Sequence, residues 1–127
     1  MKTPGHLVFV VDDRTNVAES LAMVLVQAGF RAIAFDDPTI ALSAASLKHP
    51  DALISDVIMP RMTGIDLALR VKSAHPECMV LLYSGQIRTS DLLARAKKEG
   101  HEFEILAKPV HPEEILKRLR TLPSPAA

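Results

Sequence analysis

Five short apolar runs, each closed by polar residues or by glycine and each followed by helical periodicity, set the pattern of this chain. Leu7 to Val11 is continuously apolar and rich in β-branched residues, as expected of a strand covered on both faces, and it ends in Asp12-Asp13. From Asn16 to Gly29, Val17, Leu21, Val24, Leu25 and Ala28 follow helical spacing and Gly29 is placed to stop the helix. Phe30 to Phe35 predicts a second strand, Asp37-Pro38 a helix start, and Thr39 to Leu47 an Ala-rich helix that ends before His49-Pro50. Ala52 to Ser55 predicts the third strand, with Asp56 where it stops, and Gly64 to Ala74 the third helix, halted by His75-Pro76. Cys78 to Tyr83 is the most apolar run, a fourth strand leading into Ser84-Gly85. A fourth helix over Thr89 to Glu99, a fifth strand over Phe103 to Ala107 ending at Lys108-Pro109, and a last helix over Pro112 to Leu122 complete the series.

Strict strand-helix alternation implies an α/β protein with a parallel sheet, right-handed crossovers and helices on both faces. In such a sheet every strand ends on the same edge, where open α/β folds bind ligands. Asp12, Asp13, Asp56, Ser84 and Lys108 are scattered through the sequence, yet this topology brings them to one rim. The length of 127 residues suits one domain, residues 1–122, with 123–127 as a tail or the stub of a linker.

Composition alters this picture only by exclusion. Fifteen basic and fifteen acidic residues cancel, so no global field draws the chain to nucleic acid or to an anionic membrane. The lone Cys78 has no partner for an internal disulfide or a metal pair and reads as a buried structural thiol. The five histidines, His6, His49, His75, His101 and His111, show no metal-ligand spacing, and Met23, Met59, Met62 and Met79 read as core or turn packing. The first apolar run is too short for a signal-peptide core or a bilayer span, so a soluble, cytoplasmic protein is expected.

The rim carries the candidate chemistry. Three carboxylates at close range repel one another unless a cation is present, and a hard divalent ion resolves this. Mg²⁺ takes oxygen ligands and keeps several waters, which fits Asp13 and Asp56 as direct ligands with Asp12 acting through water. Asp56 is then placed to attack an electrophilic phosphorus, with Lys108 and the metal offsetting the charge on the phosphoryl oxygens and Ser84 donating its hydroxyl to one of them. The product is an aspartyl phosphate whose added charge pulls Ser84 and its loop inward. Each residue alone has a plainer reading: Asp12-Asp13 as a helix cap, Lys108 as a surface lysine, Ser84 as a turn hydroxyl.

Taken together, Asp12-Asp13, Asp56 followed by Met59-Pro60 and Gly64, Ser84-Gly85 and Lys108-Pro109 make the chain resemble a receiver domain of the two-component response regulator family, from about Leu7 to Leu122. The resemblance implies a three-layer, flavodoxin-like, doubly wound fold with five strands in order 2-1-3-4-5 and five helices. It implies a phosphoryl group taken onto Asp56 from a sensor histidine kinase or a histidine phosphotransfer protein, with Mg²⁺ or Mn²⁺ as cofactor. It also implies that the backbone carbonyl of Ile58 completes the metal site, that the bond before Pro109 is cis, and that a face formed by helix 4, strand 5 and helix 5 meets a downstream protein or effector domain. On this reading the chain is not a turnover enzyme, contacts neither nucleic acid nor membrane directly, and is a monomer or a phosphorylation-dependent dimer.

Departures from the family pattern are equally visible. The family's Tyr or Phe three residues before the lysine is Ile105 here, with Phe103 two residues earlier on the same strand face. Ile58 and Gln86 hold the two positions that in the family set water's access to the phosphoryl group. Ile105 favours one rival, a receiver-like interaction module that works without phosphorylation. A second rival, a hydrolase of the haloacid dehalogenase type, needs a second acid two residues after the nucleophile, where Ile58 stands.

Overall fold

The computed structural model describes residues 5–85, 94, 97, 98, 100, 103–108 and 110–123. Its strands are β1 (Leu7–Val11), β2 (Arg31–Phe35), β3 (Ala52–Asp56), β4 (Met79–Ser84) and β5 (Glu104–Ala107). Its helices are α1 (Thr15–Gln27), α2 (Pro38–Leu47), α3 (Gly64–Ala74) and α4 (Pro112–Leu119). All strand pairs are parallel and the sheet order is β2-β1-β3-β4-β5, as the resemblance implied. Five helices were expected and four stand among these elements. The expected helix over Thr89 to Glu99 falls largely outside the described residues, although Ala94, Lys97 and Lys98 have helical backbone.

The continuous apolar runs become the innermost strands because both sheet faces are covered. Every residue of β1 and β3 is buried. On one face Phe9, Leu53 and Leu82 pack against Ala41 and Ala45 of α2 and Ala68 and Val71 of α3. On the other, Val8, Val10, Ile54 and Tyr83 pack against Ala18, Ala22 and Leu25 of α1 and Ile115 and Leu119 of α4. Burying a large aliphatic side chain contributes roughly 1.5–3 kcal/mol, so these two half-cores dominate the fold's stability.

The helix starts follow local chemistry. Asp37 caps α2, accepting from the Thr39 amide at 2.8 Å and its hydroxyl at 2.6 Å, with Pro38 in the first turn. Thr63 caps α3 through the Asp66 amide at 3.0 Å. Three sequence expectations need correction or refinement. Met23 is 62% exposed on α1 rather than in the core, because it faces away from the sheet-facing stripe Ala18-Ala22-Leu25. Asp56 is the last residue of β3 and Ser84 the last of β4, because both remain paired in the sheet, to Tyr83 and Ala107 respectively. The last helix is regular only to Leu119, with a turn beyond it. Among the described residues no helix is long and apolar enough to cross a membrane.

Candidate functional site

The carboxyl-terminal strand ends place the candidate residues. Asp12 and Asp13 follow β1, and the Asp12 amide is anchored to the Phe35 carbonyl at 3.0 Å. Asp56 ends β3 one strand away, and Lys108 follows β5, its amide 3.3 Å from the Ser84 carbonyl. One oxygen from each of Asp12, Asp13 and Asp56 lies within 4.8 Å of the others. Asp12 is fully buried, Asp56 is 4% exposed and Asp13 faces solvent. The plainer reading of the acidic pair fails: the cap position of α1 is Arg14, and Asp12 turns back to accept from the Arg14 amide at 2.9 Å.

The buried charges are compensated. Lys108 Nζ lies 3.2 Å from Asp56 Oδ2, reaching across from β5. Burial pushes the Asp56 carboxyl above its ordinary range; the Lys108 hydrogen bond and charge oppose that shift, Asp12 adds to it and Arg14 offsets it. Around Asp12 the Arg14 guanidinium approaches at 3.4 Å, and this ion pair holds the Arg14 pKa above its usual value. From inside, the Tyr83 hydroxyl donates to Asp12 Oδ2 at 2.7 Å, and burial first, then this bond, raise the phenol's pKa and keep it a donor.

Gly64, one part of the combined motif, has a steric reason for its place. A Cβ there would stand 2.1 Å from the Asp56 carbonyl oxygen and 3.0 Å from Ser55 Oγ, so only glycine lets α3 begin against the end of β3. Its amide also donates to the Val57 carbonyl at 2.8 Å, and Ser55 Oγ donates to the Asp56 carbonyl at 2.8 Å. Ser84 is buried at the end of β4. Ile58 is 40% exposed next to Asp56. Ile105 and Phe103 both pack against the α2-α3 half-core, on one face of the sheet as their spacing requires. Gln86 and Pro109, and with Pro109 the expected cis bond, lie outside the described residues.

Two residues at the site escaped the sequence reading. Arg14 went unremarked, and nothing in its spacing shows that its side chain folds back onto Asp12. Tyr83 did carry a signal: it is the chain's single tyrosine, placed in an aliphatic strand, and a buried phenol hydroxyl must find a partner. Cys78 behaves as expected, a buried thiol whose pKa burial pushes up to about 12. Of the histidines, His75 ends α3 with Nε2 2.9 Å from the Ala45 carbonyl, and its ring lies 4.3 Å from that of His49.

Three carboxylates in mutual reach, offering only oxygen donors, fit a hard divalent cation better than zinc. The sheet order and this acidic crevice define a doubly wound α/β domain whose chemistry sits at the switch point between β1 and β3. The family model described as response regulator receiver domain matches residues 8–120, and the chain belongs to that family. It is similar to the probable transcriptional regulatory protein TcrX of Mycobacterium tuberculosis, 33% identical over 115 residues that cover 91% of this chain and 48% of that protein. It is also similar to the DNA-binding response regulator MtrA of the same species, 31% identical over 120 residues covering 94% and 51%. The chain thus spans about half the length of the curated relatives it matches. Among solved structures, chemotaxis protein CheY4 of Vibrio cholerae aligns with a TM-score of 0.78 at 27% identity, covering 94% of this chain and 99% of that one. A receiver domain protein of Clostridium thermocellum aligns at 0.80 and 24% identity over 92% and 93%, a likeness of fold.

Proposed function

We propose that this chain is a phosphoacceptor switch: Asp56 takes a phosphoryl group from a phosphohistidine on a sensor kinase or a histidine phosphotransfer protein. The observation that carries this reading is the pairing of Lys108 with Asp56 at 3.2 Å beside the three-carboxylate cluster. Asp56 Oδ forms the new O–P bond as the donor's P–N bond breaks, and the leaving imidazole keeps the electron pair and is protonated. Lys108 moves from Asp56 to a phosphoryl oxygen, and Ser84 donates its hydroxyl to another. Asp13, Asp56 and the Ile58 carbonyl would hold Mg²⁺ or Mn²⁺, with Asp12 acting through water. The ion supplies charge neutralisation for the phosphoryl oxygens.

On this reading the chain is its own substrate and catalyses only its phosphorylation and dephosphorylation. It transmits by changing a protein-binding surface rather than by touching nucleic acid; the DNA binding named for MtrA is that protein's property. The balanced charge, fifteen basic against fifteen acidic residues, supports a protein partner. Ile105, an aliphatic residue where the family carries a ring, favours a second reading, an interaction module that works without phosphorylation. Intact mass after incubation with Mg²⁺ and acetyl phosphate separates the two. The switch reading expects a gain of one phosphoryl group that vanishes in Asp56→Asn and with EDTA. A folded, Mg²⁺-binding chain that gains nothing from either acetyl phosphate or a phosphorylated kinase would select the module.

A further inference from the structure

We propose that Tyr83 is a positioning residue of the site, holding Asp12 in the orientation from which that acid meets a cation; this rests on the metal reading above. Tyr83 stands on β4 and Asp12 follows β1, with β3 between them, so the phenol spans two strand spacings, roughly 10 Å, beneath the crevice. Its hydroxyl donates to Asp12 Oδ2 at 2.7 Å, and both residues are buried, at 3% and 0% exposure. The other oxygen, Oδ1, accepts from the Arg14 amide at 2.9 Å. The Arg14 guanidinium adds longer contacts, 3.4 Å to Oδ1 and 3.5 Å to Oδ2, and a carboxylate held through both oxygens by an amide and a phenol is fixed about its χ angles. A partner of this kind acts on a metal through the group it orients, here Asp12 and the water that would link it to the ion.

The same ring also meets the opposite side of the site. Lys108 Nζ lies 5.5 Å from the Tyr83 ring centroid while it pairs with Asp56. One side chain therefore touches both the acid after β1 and the lysine after β5. It does so from the α1-α4 face of the sheet, whereas Ile105 packs on the α2-α3 face. The ring also lines a cleft of about 620 Å³, shared with Arg14, Val17, Leu21, Lys108 and Ile115.

Calorimetric titration of the full chain with MgCl₂ tests this on the wild type, Tyr83→Phe, Asp12→Asn and the double variant. Tyr83→Phe, which keeps the ring and removes only the donor, should weaken Mg²⁺ binding about tenfold, the lower end for residues that orient a ligand. In the Asp12→Asn background the same substitution should change nothing. Since Tyr83 is the only tyrosine and the chain has no tryptophan, its emission should respond to Mg²⁺ with the calorimetric midpoint, and lose that response in Asp12→Asn. Unchanged affinity in Tyr83→Phe, or an equal loss with Asp12→Asn present, would overturn the assignment. Should Tyr83→Phe fail to fold, the wild-type emission decides: binding heat without an emission change overturns it. A wild type that binds no Mg²⁺ overturns this assignment and the metal reading together, which separates the two failures.

Discussion

Asp56 sits in a conflict that a single substitution exposes. Burial raises its pKa above the unfolded value despite Lys108, so the folded state holds the proton more tightly than the unfolded chain does. The corresponding stability is complete below the unfolded carboxylate pKa and is lost as pH rises through the folded one. Asp56→Asn cannot ionise and should melt at a higher temperature than the wild type at neutral pH in EDTA, with the gap closing as the pH falls. Parallel melting curves across the pH series would show that Lys108 fully compensates the buried charge. Saturating Mg²⁺ should reverse the order by stabilising only the wild type. Beside Asp56, Ile58 places an exposed branched side chain at the edge of the acceptor. Once the chain is phosphorylated, Ile58→Asn should shorten the acyl phosphate's lifetime severalfold in a decay assay by admitting water; an equal or longer half-life would contradict a shielding role.

Among the elements, the junction between β3 and α3 is the tightest. Gly64→Ala forces a methyl to within 2.1 Å of the Asp56 carbonyl oxygen, and overpacking of this kind costs about 1–3 kcal/mol, readable as a lower denaturation midpoint. Thr63→Ala removes the α3 cap and should cost about 1 kcal/mol, without the displacement of Asp56 that Gly64→Ala imposes. A Gly64→Ala variant as stable as the wild type would mean that the loop yields freely. This junction was legible in the sequence because Gly64 stands where the backbone leaves no room for a Cβ, and its spacing from Asp56 and Pro60 records that. Strand existence was legible for the same kind of reason: burial on both faces demands uninterrupted apolar runs, as in β1. Strand ends moved by a residue at β3 and β4, since the ladder continues into polar residues wherever the crevice can satisfy them. The contacts that Arg14 and Tyr83 make with Asp12 were not legible, because the first depends on side-chain direction within one turn and the second on direction across non-adjacent strands. Met23 was misread because helical spacing locates a stripe but not its edges.

At the scale of the whole molecule, the order β2-β1-β3-β4-β5 gathers Asp12, Asp13, Asp56, Ser84 and Lys108 from most of the chain's length onto one edge. The lysine's contact bridges β5 to β3 over the end of β4, so a charge added at Asp56 must redraw contacts across three strands. That is the physical content of the proposed switch, which requires the phosphoryl group to land on Asp56 and nowhere else. Borohydride reduction of the chain after incubation with Mg²⁺ and a phosphodonor, followed by peptide sequencing in a mass spectrometer, reads this directly, because an aspartyl phosphate is reduced to homoserine. Homoserine at position 56, absent when EDTA is present, is the predicted result. Homoserine at Asp12 or Asp13 instead, or at no position in a chain that has gained a phosphoryl group, would contradict the account.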